Sequence, residues 1–295
     1  MFQFFANIFG YLLNFINNFV GNYGLAIILF TILIKIIMLP LSIKQQRTMK
    51  KSKELNEKIK VLQFKYKNDP EKLNREMMDL YKKENMSPFS GCLSTIAQFI
   101  LLISIFYMVR CPLTYMEKIN NDQINTYVQQ LKDGGITVNQ AYSEIDIIRE
   151  LDYLKEKMPE DEGLNKINLN MNFCGLDLSK IPQQNLNDWT VYIIPALYII
   201  STFISMKITT SMQKKSKKND GVIDITEKEE KDSKEEEKNE MEDMMEQSNK
   251  MMSWMMPIMS VSISLVAPLG LALYWLVNNI LMIGERLVLN KIIKD

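Results

Sequence analysis

The segment YGLAIILFTILIKIIMLPL (residues 23–41) contains a single charged residue, Lys35, in 19 positions. At ~1.5 Å of rise per residue, a helix of this length spans about the ~30 Å hydrocarbon core of a bilayer. Pro40 disfavours continuation of a helix, because its ring clashes with the preceding turn. We therefore predict a transmembrane helix over residues 23–41 that ends at Pro40.

Four more spans follow from the distribution of charged residues along the chain. Residues 251–284 carry no charge for 34 positions. One straight helix of that length would measure ~51 Å, more than tilting accommodates. Pro268 and Gly270 supply a helix break near its middle. The further predicted spans are residues 91–110, 191–208, 251–267 and 268–289. The predicted fold class is an all-α polytopic membrane protein with five transmembrane helices.

The charges of the loops predict which side of the membrane each loop faces. Residues 42–90 hold 13 Lys and Arg against 7 Asp and Glu, whereas residues 111–190 hold 7 against 13. Because loops rich in Lys and Arg stay in the cytoplasm, residues 42–90 are predicted to be cytoplasmic and residues 111–190 to be an external loop. Five spans then place the N-terminus outside and the tail, residues 290–295, in the cytoplasm.

Residues 1–22 are predicted to form an amphipathic helix in the outer membrane interface, because polar side chains recur at helical spacing among Phe, Ile and Leu. These polar residues are Gln3, Asn7, Asn14 and Asn18. The alternative is an extension of the first span. The segment has no basic n-region and no A-x-A site, so we expect no cleavable signal peptide.

The cytoplasmic loop, residues 42–90, is predicted to be a basic helical hairpin. Apolar positions recur every three or four residues along both arms. Asp69 followed by Pro70 predicts the start of the second arm, since Asp caps helices and Pro suits the first helical position. The basic surface either contacts anionic lipid or a partner, or is a solvated face.

The two remaining loops carry weaker signals. Residues 209–250 hold 9 basic and 13 acidic residues and few apolar ones, which predicts a charged cytoplasmic linker, disordered or loosely helical. In the external loop, residues 122–132 and 142–157 show helical patterns separated by glycines. No chemistry can be assigned to this loop from its residues.

Composition excludes several classes of protein. The chain has no histidine, which excludes Ser-His and Cys-His catalysis and His-ligated metals, and its net charge of zero gives no argument for nucleic-acid binding. The three cysteines lack C-x-x-C spacing and are predicted to be ordinary apolar packing residues: Cys92, Cys111 and Cys174. The alternative is a disulfide between Cys111 and Cys174. The methionines of residues 241–259 either pack in the core, form an adaptable surface for apolar segments, or bind Cu(I) through their thioethers. Copper binding is disfavoured because no Cys or His accompanies them. We expect no metal and no cofactor.

Lys35 is the candidate functional residue within the spans. It lies 12 residues from Tyr23, which is ~18 Å along the helix. An intramembrane charge costs ~2.5–3.5 kcal/mol, which favours a functional role, although a lysine at this depth could also snorkel to the inner interface. Polar side chains of the predicted spans that could face Lys35 rather than lipid are Thr31, Gln98, Ser201 and Ser205. The alternative for the hydroxyls is a bond to their own helix backbone.

Five blocks of sequence, taken in order, match the pattern of a known family. They are NYGLAIILFTILIKIIMLPL (residues 22–41), SPFSGCLSTIAQFILLISIFYMVR (87–110), FCGLDLS (173–179), VYIIPALYIISTFIS (191–205), and MMPIM (255–259) followed by APLGLALYWLVNN (267–279). Together with the basic hairpin, these blocks resemble the YidC/Oxa/Alb insertase family over essentially the whole membrane core.

The resemblance implies a membrane protein insertase and assembly chaperone without enzymatic activity. Its helices would enclose a polar groove that is open to the cytoplasm and to lipid but sealed outside. The family usually carries an arginine in that groove, and Lys35 stands at its position here. Gln98 matches a groove-lining polar residue, and Tyr274 and Asn278 lie in the matching segment of the last helix. The implied site therefore binds client segments and contains no catalytic residue.

The implied partners are nascent membrane proteins and membrane lipid, in the inner membrane of a bacterial cell. The Sec translocon and the ribosome are further candidates, although the chain lacks the basic C-terminal tail that some relatives use at ribosomes. We expect a monomer and no direct contact with nucleic acid.

Three other classes of function compete with this interpretation. A solute transporter or channel predicts inverted repeats, and the five spans show none. A structural scaffold for membrane complexes has no need of Lys35. An enzyme is disfavoured, since the sequence has no Gly-rich phosphate loop, no metal-binding cluster and no paired carboxylates within the spans.

Overall fold

The computed structural model describes residues 2–66, 69–84, 90–219 and 261–292. Its helices are α1 (Phe2–Val20), α2 (Tyr23–Lys65), α3 (Pro70–Lys83), α4 (Ser90–Arg110), α5 (Pro112–Tyr115), α6 (Asn121–Asp133), α7 (Ser143–Arg149), α8 (Leu151–Lys157), α9 (Glu162–Lys166), α10 (Ile193–Asn219) and α11 (Leu269–Ile292). The other elements are 3-10 turns at Pro182–Gln184 and Trp189–Tyr192 and an antiparallel hairpin of β1 (Asn172–Phe173) and β2 (Leu176–Asp177). The described chain is mostly helical, as predicted.

Three of the described helices are long and apolar enough to cross a membrane: Tyr23–Thr48, Trp189–Ile208 and Leu269–Leu289. They coincide with three of the predicted spans. Within α4, the shorter apolar helix Gln98–Arg110 lies in the region of a fourth predicted span. Residues 251–260 of the predicted span 251–267 lie outside the described residues. The same holds for residues 220–250 of the predicted linker 209–250. The count of five spans stays a prediction.

Pro40 lies inside α2 and does not end it, so the predicted stop at this residue is wrong. The helix continues for 43 residues, from Tyr23 to Lys65. A proline removes one backbone hydrogen bond, and a membrane helix tolerates that loss where neighbouring groups or local adjustments satisfy the freed carbonyl. The first span and the first arm of the hairpin are therefore one continuous helix.

The predicted start of the second arm of the hairpin is confirmed at Asp69. Its carboxylate accepts a hydrogen bond from the backbone N–H of Lys72 at 3.0 Å, and Pro70 is the first residue of α3. The ammonium of Lys58 lies 2.5 Å from the carboxylate of Glu84, which ties the end of α3 to α2. This hydrogen bond lowers the pKa of Glu84.

The described chain forms two compact units. The first unit comprises the described residues of Met1–Val20, Ile28–Asn168 and Gly284–Asp295. The second unit comprises the described residues of Gly21–Ile27 and Leu169–Ile283. Both α2 and α11 contribute residues to each unit.

In the first unit, the buried face of α1 packs against α4 and α5. The side-chain amides of Asn14 and Asn17 donate hydrogen bonds to the carbonyls of Met116 and Asn168, both at 3.0 Å. The large apolar side chains exposed on α1 are mostly aromatic: Phe4, Phe5, Ile8, Tyr11, Phe15 and Phe19. α1 is a helix separate from α2, and its interfacial position remains a prediction.

The close packing of α1 depends on Gly10. A Cβ atom at this position would lie 2.1 Å from the backbone carbonyl oxygen of Tyr115 in α5. A backbone atom cannot move aside as the end of a flexible side chain can, so a larger residue would push the two helices apart.

The part of the predicted external loop that lies in the first unit contains helices at the predicted places. Residues 122–132 lie in α6, and the pattern over 142–157 divides into α7 and α8 at Glu150. The hydroxyl of buried Tyr127 donates to the carboxylate of Asp161 at 2.6 Å. That carboxylate also caps α9, so one acidic side chain joins α6 to α9.

In the second unit, the β-hairpin holds the first residues of two membrane-spanning helices. Residues 174–175 form its turn, with φ angles of 51° and 79°. The backbone N–H of Gly270 at the start of α11 donates to the carbonyl of Leu178 at 2.9 Å. The side-chain amide of Asn22, just before α2, donates to the carbonyl of Asn172 at 2.7 Å.

Candidate functional site

Lys35 forms an ion pair with Glu285 in the first unit. The ammonium nitrogen Nζ lies 3.3 Å from the carboxylate oxygen Oε2, and the two side chains are 25% and 14% exposed. Both residues belong to candidate membrane spans, Lys35 to α2 and Glu285 to the last turns of α11. Paired charges are the form in which ionisable residues are tolerated inside a membrane.

Sequence reasoning missed Glu285. The signal was available, because Glu285 is the acidic residue of the last predicted span and Lys35 is the basic residue of the first one. Opposite charges in two different spans predict a pair. Which spans meet is a property of the tertiary structure.

The structure places Thr31 and Gln98 differently within the first unit. Thr31 lies one turn from Lys35 on α2 and is 2% exposed. Gln98 is exposed, and its side-chain amide Nε2 donates a hydrogen bond to the side-chain oxygen Oε1 of Gln45 at 2.9 Å. This contact joins α4 to α2 ten residues beyond Lys35, and Gln45 is a further polar residue that the sequence analysis did not select.

In the second unit, a polar contact joins α10 and α11. The side-chain amide Nδ2 of Asn279 donates to the hydroxyl of Ser201 at 2.9 Å and to that of Thr202 at 3.2 Å. The Ser201 hydroxyl itself donates to the carbonyl of Tyr198 at 2.7 Å. Ser201 therefore both bonds to its own helix, as the alternative interpretation expected, and links two helices.

Asn278 is the predicted groove residue, whereas its neighbour Asn279 makes the bonds to α10. Asn279 is 7% exposed, and Asn278 is more exposed. Helical spacing alone does not determine which of two adjacent asparagines contacts a neighbouring helix, because that depends on where the neighbouring helix lies. Ser205 and Tyr274, the remaining predicted groove residues, are buried in the same unit at 7% and 4% exposure.

A cleft of about 330 Å³ opens between α10 and α11 in the second unit. Its lining consists of Leu197, Ile200, Ser201, Ile204, Leu276, Ile280 and Ile283. The lining is apolar except for Ser201. Such a surface suits an apolar helix or an acyl chain and offers nothing to a charged ligand.

Buried acidic side chains also occur in the external loop. Glu144 accepts hydrogen bonds from the backbone N–H and the hydroxyl of Thr114 at 2.9 and 2.6 Å. Burial nevertheless raises its pKa, since desolvation outweighs those bonds. Burial also raises the pKa of Cys111 to about 12, so this thiol stays protonated and unreactive at neutral pH. Cys111 and Cys174 are free thiols, and the alternative of a disulfide between them is not realised.

Within the ranges that the structure describes, no cluster of three Cys, Asp or Glu side chains could hold a metal ion. The described residues provide a lysine in an ion pair, amides and hydroxyls that form hydrogen bonds, and an apolar cleft. The joining of all seven predicted residues into one groove remains a prediction. Membrane-spanning helices carrying these polar contacts define the chain as a multi-pass α-helical membrane protein.

The chain belongs to the 60Kd inner membrane protein family, whose model matches residues 15–295. This result confirms the resemblance noted in the sequence and supports a place in the bacterial inner membrane. A relative from Caldanaerobacter subterraneus subsp. tengcongensis, a membrane protein insertase YidC, is 48% identical over 101 residues, which cover 34% of this chain and 49% of the relative.

Membrane protein insertases YidC from Francisella tularensis subsp. novicida and subsp. tularensis are each 46% identical over 109 residues. The aligned parts cover 37% of this chain and 20% of each relative. The chain thus matches about half the length of the first relative and a fifth of the others.

Proposed function

We propose that this protein is a membrane protein insertase and assembly chaperone. It draws the polar flanks of client proteins into a hydrophilic groove and releases their apolar segments sideways into the bilayer. The observation that carries the proposal is the partly exposed side chain of Lys35 within a membrane-spanning helix. The insertase names of the relatives support it.

The groove acts through electrostatics rather than through a chemical reaction. A cation at a partly hydrated position inside a low-dielectric region attracts an acidic or polar segment over a longer range than it could in bulk water. The attraction offsets part of the cost of moving a polar flank into the membrane. No bond is made or broken, so the protein is not an enzyme in this mechanism.

The proposed groove is lined by polar residues from several helices. They are Lys35, Thr31, Gln98, Ser201, Ser205, Tyr274 and Asn278. The amide of Gln98 and the Ser201 hydroxyl already take part in hydrogen bonds between helices. These bonds support polar contacts at the two positions, and a client flank supplies polar groups too.

Lateral release draws support from the cleft between α10 and α11. Ile200 and Ile280 line it and are 56% and 52% exposed. An apolar client helix could pack there before it leaves into lipid, because lipid tails and apolar side chains are equivalent surroundings for it.

The topology follows the charge of the loops, with the basic hairpin and the C-terminus in the cytoplasm and the N-terminus outside. The clients are nascent membrane proteins that meet the groove from the cytoplasm. The Sec translocon and the ribosome are candidate partners, and the protein acts as a monomer.

Reconstitution tests the proposal. The purified protein is placed in lipid vesicles with a single-span client that has a short polar tail, and tail translocation is scored by protection from added protease. Vesicles with protein should protect the tail several-fold more than empty vesicles. Equal protection in both would refute the insertase function.

A further inference from the structure

We infer that Glu285 is the resident counter-ion of Lys35 and competes with the acidic flanks of clients for its ammonium, which limits how strongly the groove prefers acidic over neutral flanks. A client carboxylate reaches the Lys35 ammonium by taking the place of Glu285. The inference rests on the proposed function and adds a specificity-determining residue to it.

The geometry of the pair supports this role. The 3.3 Å separation between Lys35 Nζ and Glu285 Oε2 is that of a formed ion pair, and the Glu285 side chain is only 14% exposed. A glutamate this close to a lysine offsets part of the attraction of the ammonium for other anions. At rest, Glu285 therefore weakens the attraction of Lys35 for a client carboxylate without abolishing it.

The pair is also accessible to a competitor. The Lys35 side chain is 25% exposed, so it is not sealed within the protein. An approaching carboxylate can share the ammonium with Glu285 before the first contact is lost, since an ammonium has three donors. The ammonium therefore keeps a carboxylate partner throughout the exchange.

Arg286 follows Glu285 on α11, and the two charges attract each other. This attraction offsets part of the cost of displacing Glu285 when a client occupies Lys35. A neutral polar flank has no charge to exchange for Glu285 and gains nothing from Lys35.

The test compares two clients on the same protein. They are identical single-span proteins whose short translocated tails carry either two Asp or two Asn residues. The readout is the ratio of protected Asp tail to protected Asn tail in reconstituted vesicles. Because both clients meet the same vesicles, this ratio does not depend on the amount of insertase.

Glu285→Gln should raise the Asp-to-Asn ratio about fivefold, the factor that corresponds to ~1 kcal/mol, a typical value for one partly exposed ion pair. Lys35→Ala should bring the ratio close to one, and the double variant should match Lys35→Ala. The control is Glu162→Gln, which removes the same charge from an exposed pair with Lys166 in the external loop and should leave the ratio unchanged.

An unchanged ratio in Glu285→Gln, an equal change for both clients, or an increase that persists without Lys35 would overturn the inference. If Glu285→Gln cannot be purified, Glu285→Asp replaces it, because the shorter side chain weakens the pair and should give an intermediate ratio. A wild-type ratio in Glu285→Asp would then count against the inference. Failure of the wild-type protein to insert either client would instead refute the proposed function.

Discussion

Removal of Lys35 should damage the protein in two separable ways, through its own stability and through its activity. Lys35→Ala leaves Glu285, which is 14% exposed, as an acidic side chain in a span without its lysine partner. Breaking a fully buried pair costs ~3–5 kcal/mol. Because Lys35 is 25% exposed and Arg286 lies beside Glu285, we expect a smaller loss of ~2 kcal/mol in the free energy of unfolding.

A second substitution separates the two effects. In Lys35→Ala/Glu285→Gln neither charge remains, so stability should return to within ~0.5 kcal/mol of wild type. Insertion of clients with acidic tails should stay as low as in Lys35→Ala, because the attracting cation is absent. Lys35→Arg should keep both properties, and Lys35→Glu should lose most, since it places two carboxylates together.

Stability is measured by denaturant unfolding of the purified variants in detergent, followed by tryptophan fluorescence. Activity is measured by the vesicle assay at equal amounts of folded protein. Equal instability of the single and double variants would refute the role of Glu285 as an ion-pair partner. If Lys35→Ala inserts clients as well as the wild-type protein does, Lys35 has no role in insertion and instead snorkels to the inner interface.

Three further predictions concern other contacts. Asn279→Ala should destabilise the protein by ~0.6–1.7 kcal/mol in unfolding experiments, because it removes the bonds to α10. Gly10→Val should separate α1 from α5, since even its Cβ would meet the Tyr115 carbonyl oxygen at 2.1 Å, and limited proteolysis should then cleave near α1. The predicted external loop should lose stability as the pH rises from about 4 toward 7, because burial raises the pKa of Glu144. Hydrogen exchange of the loop amides, followed as a function of pH, measures this loss.

Each of these has a matched control. Asn278→Ala should cost less than Asn279→Ala. Gly284→Ala should be tolerated, because a Cβ there meets no atom within 4 Å. The sign of the pH effect follows from the raised pKa: the folded loop holds the Glu144 proton more tightly than the unfolded chain, so the stabilisation is present at low pH and disappears once the folded form also ionises. Glu144→Gln should reduce this dependence, and an unchanged profile would contradict the assignment.

Local features of this protein were predictable from its sequence. The apolar stretches that begin near Tyr23, Trp189 and Leu269 have the length of a membrane crossing, which depends only on composition and helix rise. The cap at Asp69 depends on a side chain and the backbone three residues away. The family was recognisable for the same reason, because its motifs are continuous in the chain.

Other features depended on contacts between distant parts of the chain. Pro40 is compatible with a continuous helix only where the surroundings compensate for the missing hydrogen bond, and the sequence does not describe those surroundings. Asn279 rather than Asn278 faces Ser201, and Glu285 meets Lys35 across 250 positions. Residue type and spacing along one helix determine which side chains can interact, but the partner of each is decided by which helices pack together and at what rotation, and that depends on the tertiary structure as a whole.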